Sequence, residues 1–238
     1  MDRVVLVHGS VTGGAATWST VAAALAGRWD VVIVERPGFP PGPPVERVDF
    51  EDDAVLVADA LADASHLVGH SYGGVISLLA AARRQAAVRS LTVIEPPAMG
   101  VARGVPAVDT FVDRGERLWR DGPTDDPEAF LRTFLRAVGS SFEPPSPLTP
   151  ELEQGARTLI VERAPWEARI PLDELAAAPF PKLVVSGAHH PAFDAVCDVL
   201  EARLGAERLV LPGAGHSAQR APGFNEGLED FLTRVSAS

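Results

Sequence analysis

The run His66-Leu67-Val68-Gly69-His70-Ser71-Tyr72-Gly73-Gly74-Val75-Ile76 decides the fold. His66–Val68 reads as a short strand buried on both faces, and Val75–Ala82 reads as a helix, with only a glycine-flanked turn between them. A serine at the centre of G-x-S-x-G, placed between strand and helix, sits where the chain reverses so sharply that side chains at Gly69 and Gly73 would collide. Such a turn holds the Ser71 hydroxyl out of the backbone. The N–H of Tyr72, at the helix start, then points toward the place where an oxyanion would form. The five-residue pattern recurs by chance; strand, turn and helix in this order give it weight.

Similar runs of Val, Ile and Leu lie at Val4–Val7, Val31–Val34, Leu91–Ile94, Leu183–Val185 and Leu209–Leu211. None alternates, as expected of strands covered on both faces. Helical patterns separate them at Trp18–Ala26, Asp52–Ala62, Ser77–Ala82, Ala195–Leu204 and Asn225–Val235. Strand–helix–strand alternation predicts an α/β chain with a mostly parallel, doubly wound sheet of about six strands. Residues 96–181 break the rhythm. They hold no clear strand but four helical candidates, Asp109–Arg120, Pro127–Val138, Pro150–Arg163 and Leu172–Ala177. Asp126-Pro127 and Thr149-Pro150 each supply a capping residue with proline at the first helical position. The expected organisation is a core of residues 1–95 and 182–238 with a helical cap, residues 96–181, over the carboxyl end of the sheet. Most of its aromatic residues, among them Phe111, Trp119, Phe134 and Trp166, are expected to pack the cap down, and a few to face the cleft.

At 238 residues, 46% hydrophobic and 22% charged, the chain fits one globular domain with a sizeable core. Its 21 lysines and arginines against 32 aspartates and glutamates give a net charge of −11, which argues against nucleic-acid partners. One cysteine, Cys197, excludes an internal disulfide and is expected in the core. Met1-Asp2-Arg3 runs straight into a strand without a signal-like stretch, and no window approaches the roughly 20 apolar residues of a membrane span. The expectation is a soluble, cytoplasmic monomer or homodimer with no membrane partner.

A second glycine-bearing turn, His8-Gly9-Ser10-Val11-Thr12-Gly13-Gly14, follows the first strand. It has neither the G-x-G-x-x-G nor the G-K-[ST] spacing of phosphate loops. In this fold class the position supplies a second oxyanion donor, here the N–H of Ser10, with His8 orienting the loop. The base is expected late, in Pro212-Gly213-Ala214-Gly215-His216, where small residues let the His216 imidazole reach Ser71. Among the other histidines, His66 begins a strand, His70 is expected to face away from the serine, and His189-His190 follow another strand. That pair has no third ligand at metal spacing, so no metal is expected.

The segments Val7-His8-Gly9, Gly69–Gly74, Leu183–Gly187 and Gly213–His216 make the chain resemble the α/β-hydrolase superfamily from Val4 to Leu232, opening at the strand its members number third. Within it the chain is similar to small capped esterases, lactonases and carbon–carbon-bond hydrolases. The resemblance implies an aspartate about three residues after Gly187, but His190 stands there. Asp194 lies further on, where a helix is already starting. The superfamily's other acid position is the end of the preceding strand, and Leu91-Thr92-Val93-Ile94 runs into Glu95. A buried glutamate needs a cationic or hydrogen-bonding partner. His216 is one candidate, and an ion pair with Arg36 or Arg103 is the structural alternative. Glu35 is expected to be structural, and Glu51-Asp52-Asp53 to complement a helix dipole.

These readings predict a serine hydrolase that cleaves a carboxylic ester or lactone of a small apolar substrate through an acyl-enzyme. Ser71 is the nucleophile, His216 the base, Glu95 the acid with Asp194 as alternative, and Ser10 and Tyr72 the oxyanion donors. No metal or organic cofactor is implied. A carbon–carbon bond hydrolase would use the same residues. A protein of another class, a hydrolase-fold binding or signalling module with little turnover, stays open because of the missing aspartate after Gly187. A dehalogenase is disfavoured, since its nucleophile would be a carboxylate.

Overall fold

A computed structural model describes residues 1–237. In chain order the elements are β1 (Arg3–Val7), α1 (Gly14–Leu25), β2 (Asp30–Val34), α2 (Phe50–Ala60), β3 (Ser65–His70), α3 (Tyr72–Arg83), β4 (Val88–Ile94), α4 (Pro106–Asp121), α5 (Pro127–Ala137), α6 (Pro150–Val161), α7 (Leu172–Ala177), β5 (Lys182–Ser186), α8 (Pro191–Leu204), β6 (Glu207–Val210) and α9 (Phe224–Ser236). The six strands form one sheet in the order β2-β1-β3-β4-β5-β6, and every pairing is parallel.

Alternate residues of one strand serve opposite layers. Val5, Val7, Leu67, Val93 and Val184 pack with Phe50, Ile76, Leu79 and Leu200 of α2, α3 and α8. Val4, Leu6, Val68, Ile94 and Val185 pack with Trp18 and Leu25 of α1 and with Phe224, Leu228 and Phe231 of α9. Both faces are covered, which is why the strands read as unbroken apolar runs. A third core of Leu118, Phe130, Leu131, Leu135, Ala156 and Leu159 joins α4, α5 and α6, with Val11 of the β1–α1 loop reaching into it.

The chain runs from β1 out to β2 and then back past β1 to β3, so the order reverses between β1 and β3. The crevice outside the carboxyl ends at such a reversal is where open α/β sheets place their sites. Ladder bonds continue past the strand ends there: Ser71 N–H donates to Ile94 O at 2.8 Å and Glu95 N–H to Val185 O at 3.0 Å.

Several boundaries differ from the sequence reading, and two of them have a plain physical cause. The last strand is Glu207–Val210, shifted toward the N-terminus from Leu209–Leu211; as an edge strand it is half exposed and carries no full apolar run. The helix expected over 150–163 stops at Val161, because Val48 takes up its end: Val48 N–H donates to Val161 O at 3.1 Å and Arg163 N–H to Val48 O at 2.8 Å. Glu35 is structural, accepting from the N–H groups of Gly14 and Ala15 at the start of α1. Cys197 is buried. No helix among the described residues is long and apolar enough to cross a membrane.

Candidate active site

Ser71 occupies the turn between β3 and α3 with φ 53° and ψ −125°, a conformation non-glycine residues rarely adopt. Its glycine neighbours are needed for space. A Cβ at Gly69 would stand 2.3 Å from the Gly73 carbonyl oxygen, and one at Gly73 would stand 2.4 Å from that of Val7. The Ser71 hydroxyl lies 2.9 Å from Nε2 of His216, which arrives on the loop after β6. His70 does not face away, as the sequence reading had it. It is buried beside His216, ring centroids 5.2 Å apart, and its Nε2–H donates to the His216 carbonyl at 2.9 Å. The turn curls over the sheet edge, so the residue before the serine supports the loop that carries the imidazole.

Glu95 leaves β4 with φ 49° and is fully buried. Its Oε1 accepts from Gly187 N–H at 2.6 Å, and its Oε2 lies 3.6 Å from His216 Nδ1 and 3.4 Å from His189 Nδ1. Burial works against its charge, but the two imidazoles and the Gly187 N–H outweigh that and hold the carboxyl down at about 2. The arginines proposed as structural alternatives pair elsewhere, Arg36 with Asp53 and Glu162 and Arg103 with Asp109. Asp194 sits in the first turn of α8, and among the described residues no ion pair links it to His216. His190, standing where the family's aspartate is expected, caps α8 by accepting from Ala192 N–H.

The fold supplies His189 with neighbours that sequence spacing did not show. Donor atoms of Glu95, His189 and His216 lie within 4.8 Å of one another, close enough to consider a cation. With Ser71 donating to its Nε2, however, His216 keeps a hydrogen on Nδ1 and has no lone pair for a metal there.

The loop after β1 is fixed by a charged network. His8 donates from Nδ1 to Gly9 O at 2.8 Å and accepts at Nε2 from Arg36 N–H at 3.1 Å. The Arg36 guanidinium reaches Asp53, Glu162 and the Gly9 carbonyl, each at 2.8 Å, and stacks on Phe39 and Tyr72. Asp53 is therefore the buried partner of an arginine more than a helix-dipole charge. The Ser10 hydroxyl donates to Glu162 Oε2 at 2.5 Å, which ties this loop to the helical segment between β4 and β5. Sequence reasoning missed Glu162 because it lies in the last turn of the helix expected over 150–163, where a charged residue is ordinary.

Two cavities meet at Ser71. One of about 30 Å³ is lined by Ser10, Tyr72 and the aromatic rings of Phe111, Trp119 and Trp166. The other, of about 250 Å³, is lined by His70, His216, Val138, Phe142 and Arg220. Phe134 borders both, so some of the segment's aromatic residues face the cleft while Phe130 packs inside the segment.

Burial, reinforced by neighbouring charge, lowers the imidazoles of His8 and His70 from 6.5 to about 3, and His66 to about 4. Each folded value is depressed, so the stability these rings contribute is whole above the ordinary histidine range and is lost as pH falls toward the folded values. The melting temperature followed by circular dichroism is expected to fall steadily from about pH 6.5 to pH 4. A flat profile across that interval would show that the rings accept protons without loss of the fold.

A profile of the "Alpha/beta hydrolase family" matches residues 4–224. A Caulobacter segnis protein named for carbamate hydrolysis is 32% identical over 127 residues, 50% of this chain and 46% of its own. A pimeloyl-[acyl-carrier protein] methyl ester esterase of Methylococcus capsulatus is 30% identical over 167 residues, 69% of this chain and 62% of its own. The matched region thus spans less than two thirds of either relative. Among solved structures, a membrane phospholipase A described as a bacterial virulence factor superposes with TM-score 0.76 at 25% identity, covering 100% of this chain and 80% of that one.

Proposed function

The chain belongs to the alpha/beta hydrolase family, and from that premise we propose that it is a serine hydrolase cleaving a carboxylic ester or lactone of a small apolar substrate through an acyl-enzyme. The observation that carries this reading is the continuous line from Ser71 Oγ to His216 Nε2, and from His216 Nδ1 to the buried Glu95 carboxylate. Ser71 attacks the acyl carbon as His216 takes its proton, and the imidazolium so formed is held by Glu95. The N–H groups of Ser10 and Tyr72, both beside Ser71 in the smaller cavity, stabilise the oxyanion. His216 returns the proton to the leaving oxygen, and water then releases the acyl group by the same steps in reverse order.

Residues 96–181 act as the cap. Through Phe111, Trp119, Phe134, Val138 and Trp166 it walls the space over Ser71. A cavity of about 30 Å³ takes no more than a short acyl group, and one of about 250 Å³ takes the rest of a small substrate. This favours small free esters and lactones over long acyl chains.

The test is labelling with a fluorophosphonate and peptide mapping of the adduct. Rapid modification of Ser71, lost in Ser71→Ala and slowed in His216→Ala, is the expected result. A folded protein whose Ser71 stays unlabelled would overturn the reading in favour of a binding module.

A further inference from the structure

His189 has no part in the chemistry above, and both of its nitrogens lie near acceptors. Nε2 lies 3.0 Å from the carbonyl of Val138, a group that only accepts, so Nε2 carries a hydrogen. Nδ1 lies 3.4 Å from Glu95 Oε2, at ion-pair distance, and makes no hydrogen bond among the described residues. In a neutral ring with its hydrogen on Nε2, the Nδ1 lone pair would be aimed at a carboxylate. Both contacts are favourable only when both nitrogens are protonated. The loop beyond Val138 rests directly on the ring: Gly139 has φ +67°, and a Cβ there would stand 3.0 Å from His189 Cδ2. Val138 itself lines both cavities at Ser71.

We infer that His189 is a positioning residue which, held as an imidazolium between the Glu95 carboxylate and the Val138 carbonyl, couples the seating of the cap to the orientation of the acid that holds His216. Its kinetic consequence rests on the triad reading above; its protonation state does not. The groups facing the ring are Glu95 after β4, His216 on the loop after β6, His190 beside it, and Asp194 and Phe193 in the first turn of α8. From the end of α5 it meets the Val138 carbonyl and Gly139, neither of which titrates, and the charge of Arg114 of α4 acts on the neighbouring His190. Burial disfavours the charged ring, but Glu95 and the Val138 carbonyl outweigh it and raise its pKa above the usual histidine value. The folded value is raised, so this contribution is complete in acid and is lost as pH rises through it.

The experiment has two arms, both run with EDTA so that no divalent cation takes the place of the proton. In the first, long-range ¹H–¹⁵N spectra of histidine-labelled protein, assigned by the signals missing in His189→Asn, report the ring at pH 7. Hydrogens on both nitrogens are expected; a neutral ring overturns the inference whether or not Ser71 is reactive. In the second, p-nitrophenyl acetate turnover is compared across pH for His189→Gln, which keeps a donor at the Nε2 position, and His189→Asn, which keeps one at Nδ1. His189→Gln is expected to lose about tenfold in kcat with KM little changed, and His189→Asn to raise KM about tenfold with kcat little changed. Both should lack the alkaline fall in kcat/KM that the wild type shows as His189 loses its proton. Equal losses in the two variants that track their melting temperatures, with an unaltered pH profile, would reduce His189 to a packing residue.

Discussion

Replacing His216 by alanine is expected to lower kcat/KM for p-nitrophenyl acetate by about 10⁴- to 10⁶-fold, with the fold intact. The ring makes one side-chain contact to Ser71 and faces one carboxylate, so its loss removes the proton acceptor and leaves the serine an ordinary alcohol. Glu95→Gln, which preserves shape but not charge, is expected to lose about 10⁴-fold, since an amide can donate to Nδ1 and so turn the imidazole toward the wrong tautomer. Asp194→Ala should leave the rate within a few-fold of wild type, because its side chain makes no ion pair with His216 among the described residues. Steady-state kinetics on the three variants settle the matter. A Glu95→Gln enzyme as fast as wild type, with Asp194→Ala crippled, would move the acid to α8.

The largest effect on stability is expected from Arg36→Ala. The guanidinium is 1% exposed and compensates two carboxylates, Asp53 and Glu162, whose own burial pushes their pKa values up despite it. Removing it strands both charges where water cannot reach them. The cost of breaking such a pair is about 3–5 kcal/mol, or a fall in melting temperature of about 6–20 °C for a domain of this size. Arg36→Lys should recover only part, because a single ammonium cannot reach Asp53, Glu162 and the Gly9 carbonyl at once. Urea unfolding followed by tryptophan fluorescence gives the numbers. A loss below about 1 kcal/mol would mean that the two carboxyls simply take up protons and that the network carries no net charge in the native state.

The sheet was legible in the sequence because strands covered on both faces must be apolar at every position, as Val4–Val7 and Leu91–Ile94 are. Ser71 was legible because its turn demands glycine at two fixed offsets, and these are visible without coordinates. The edge strand was misplaced by two residues because one side of it faces solvent and no apolar rule holds there. Glu95 was reached from its place at the end of a buried strand, but its partners, like those of His189 and Glu162, belong to a different kind of information. Each meets its partner across the fold, at a separation set by strand order and helix packing, so no local spacing announces it. His189 was set aside for want of a third neighbour, and the sheet provided that neighbour by placing β4 next to β5.

The ladder bonds that continue past the ends of β3 and β4 give the site an uneven mechanical character. Ser71 and Glu95 leave adjacent strands and are stitched to Ile94 and Val185 by backbone hydrogen bonds, so their separation is inherited from the roughly 4.8 Å spacing of the sheet itself. His216 alone is carried by a glycine-bearing loop, steadied by His70. Thermal motion and loop substitutions therefore fall on the His216 ring, while Ser71 and Glu95 keep a fixed gauge. Substitutions at 212–214, between the Leu211 ladder bond and the Gly215–Gly187 contact, are thus expected to shift the His216 ring more than the spacing of Ser71 and Glu95.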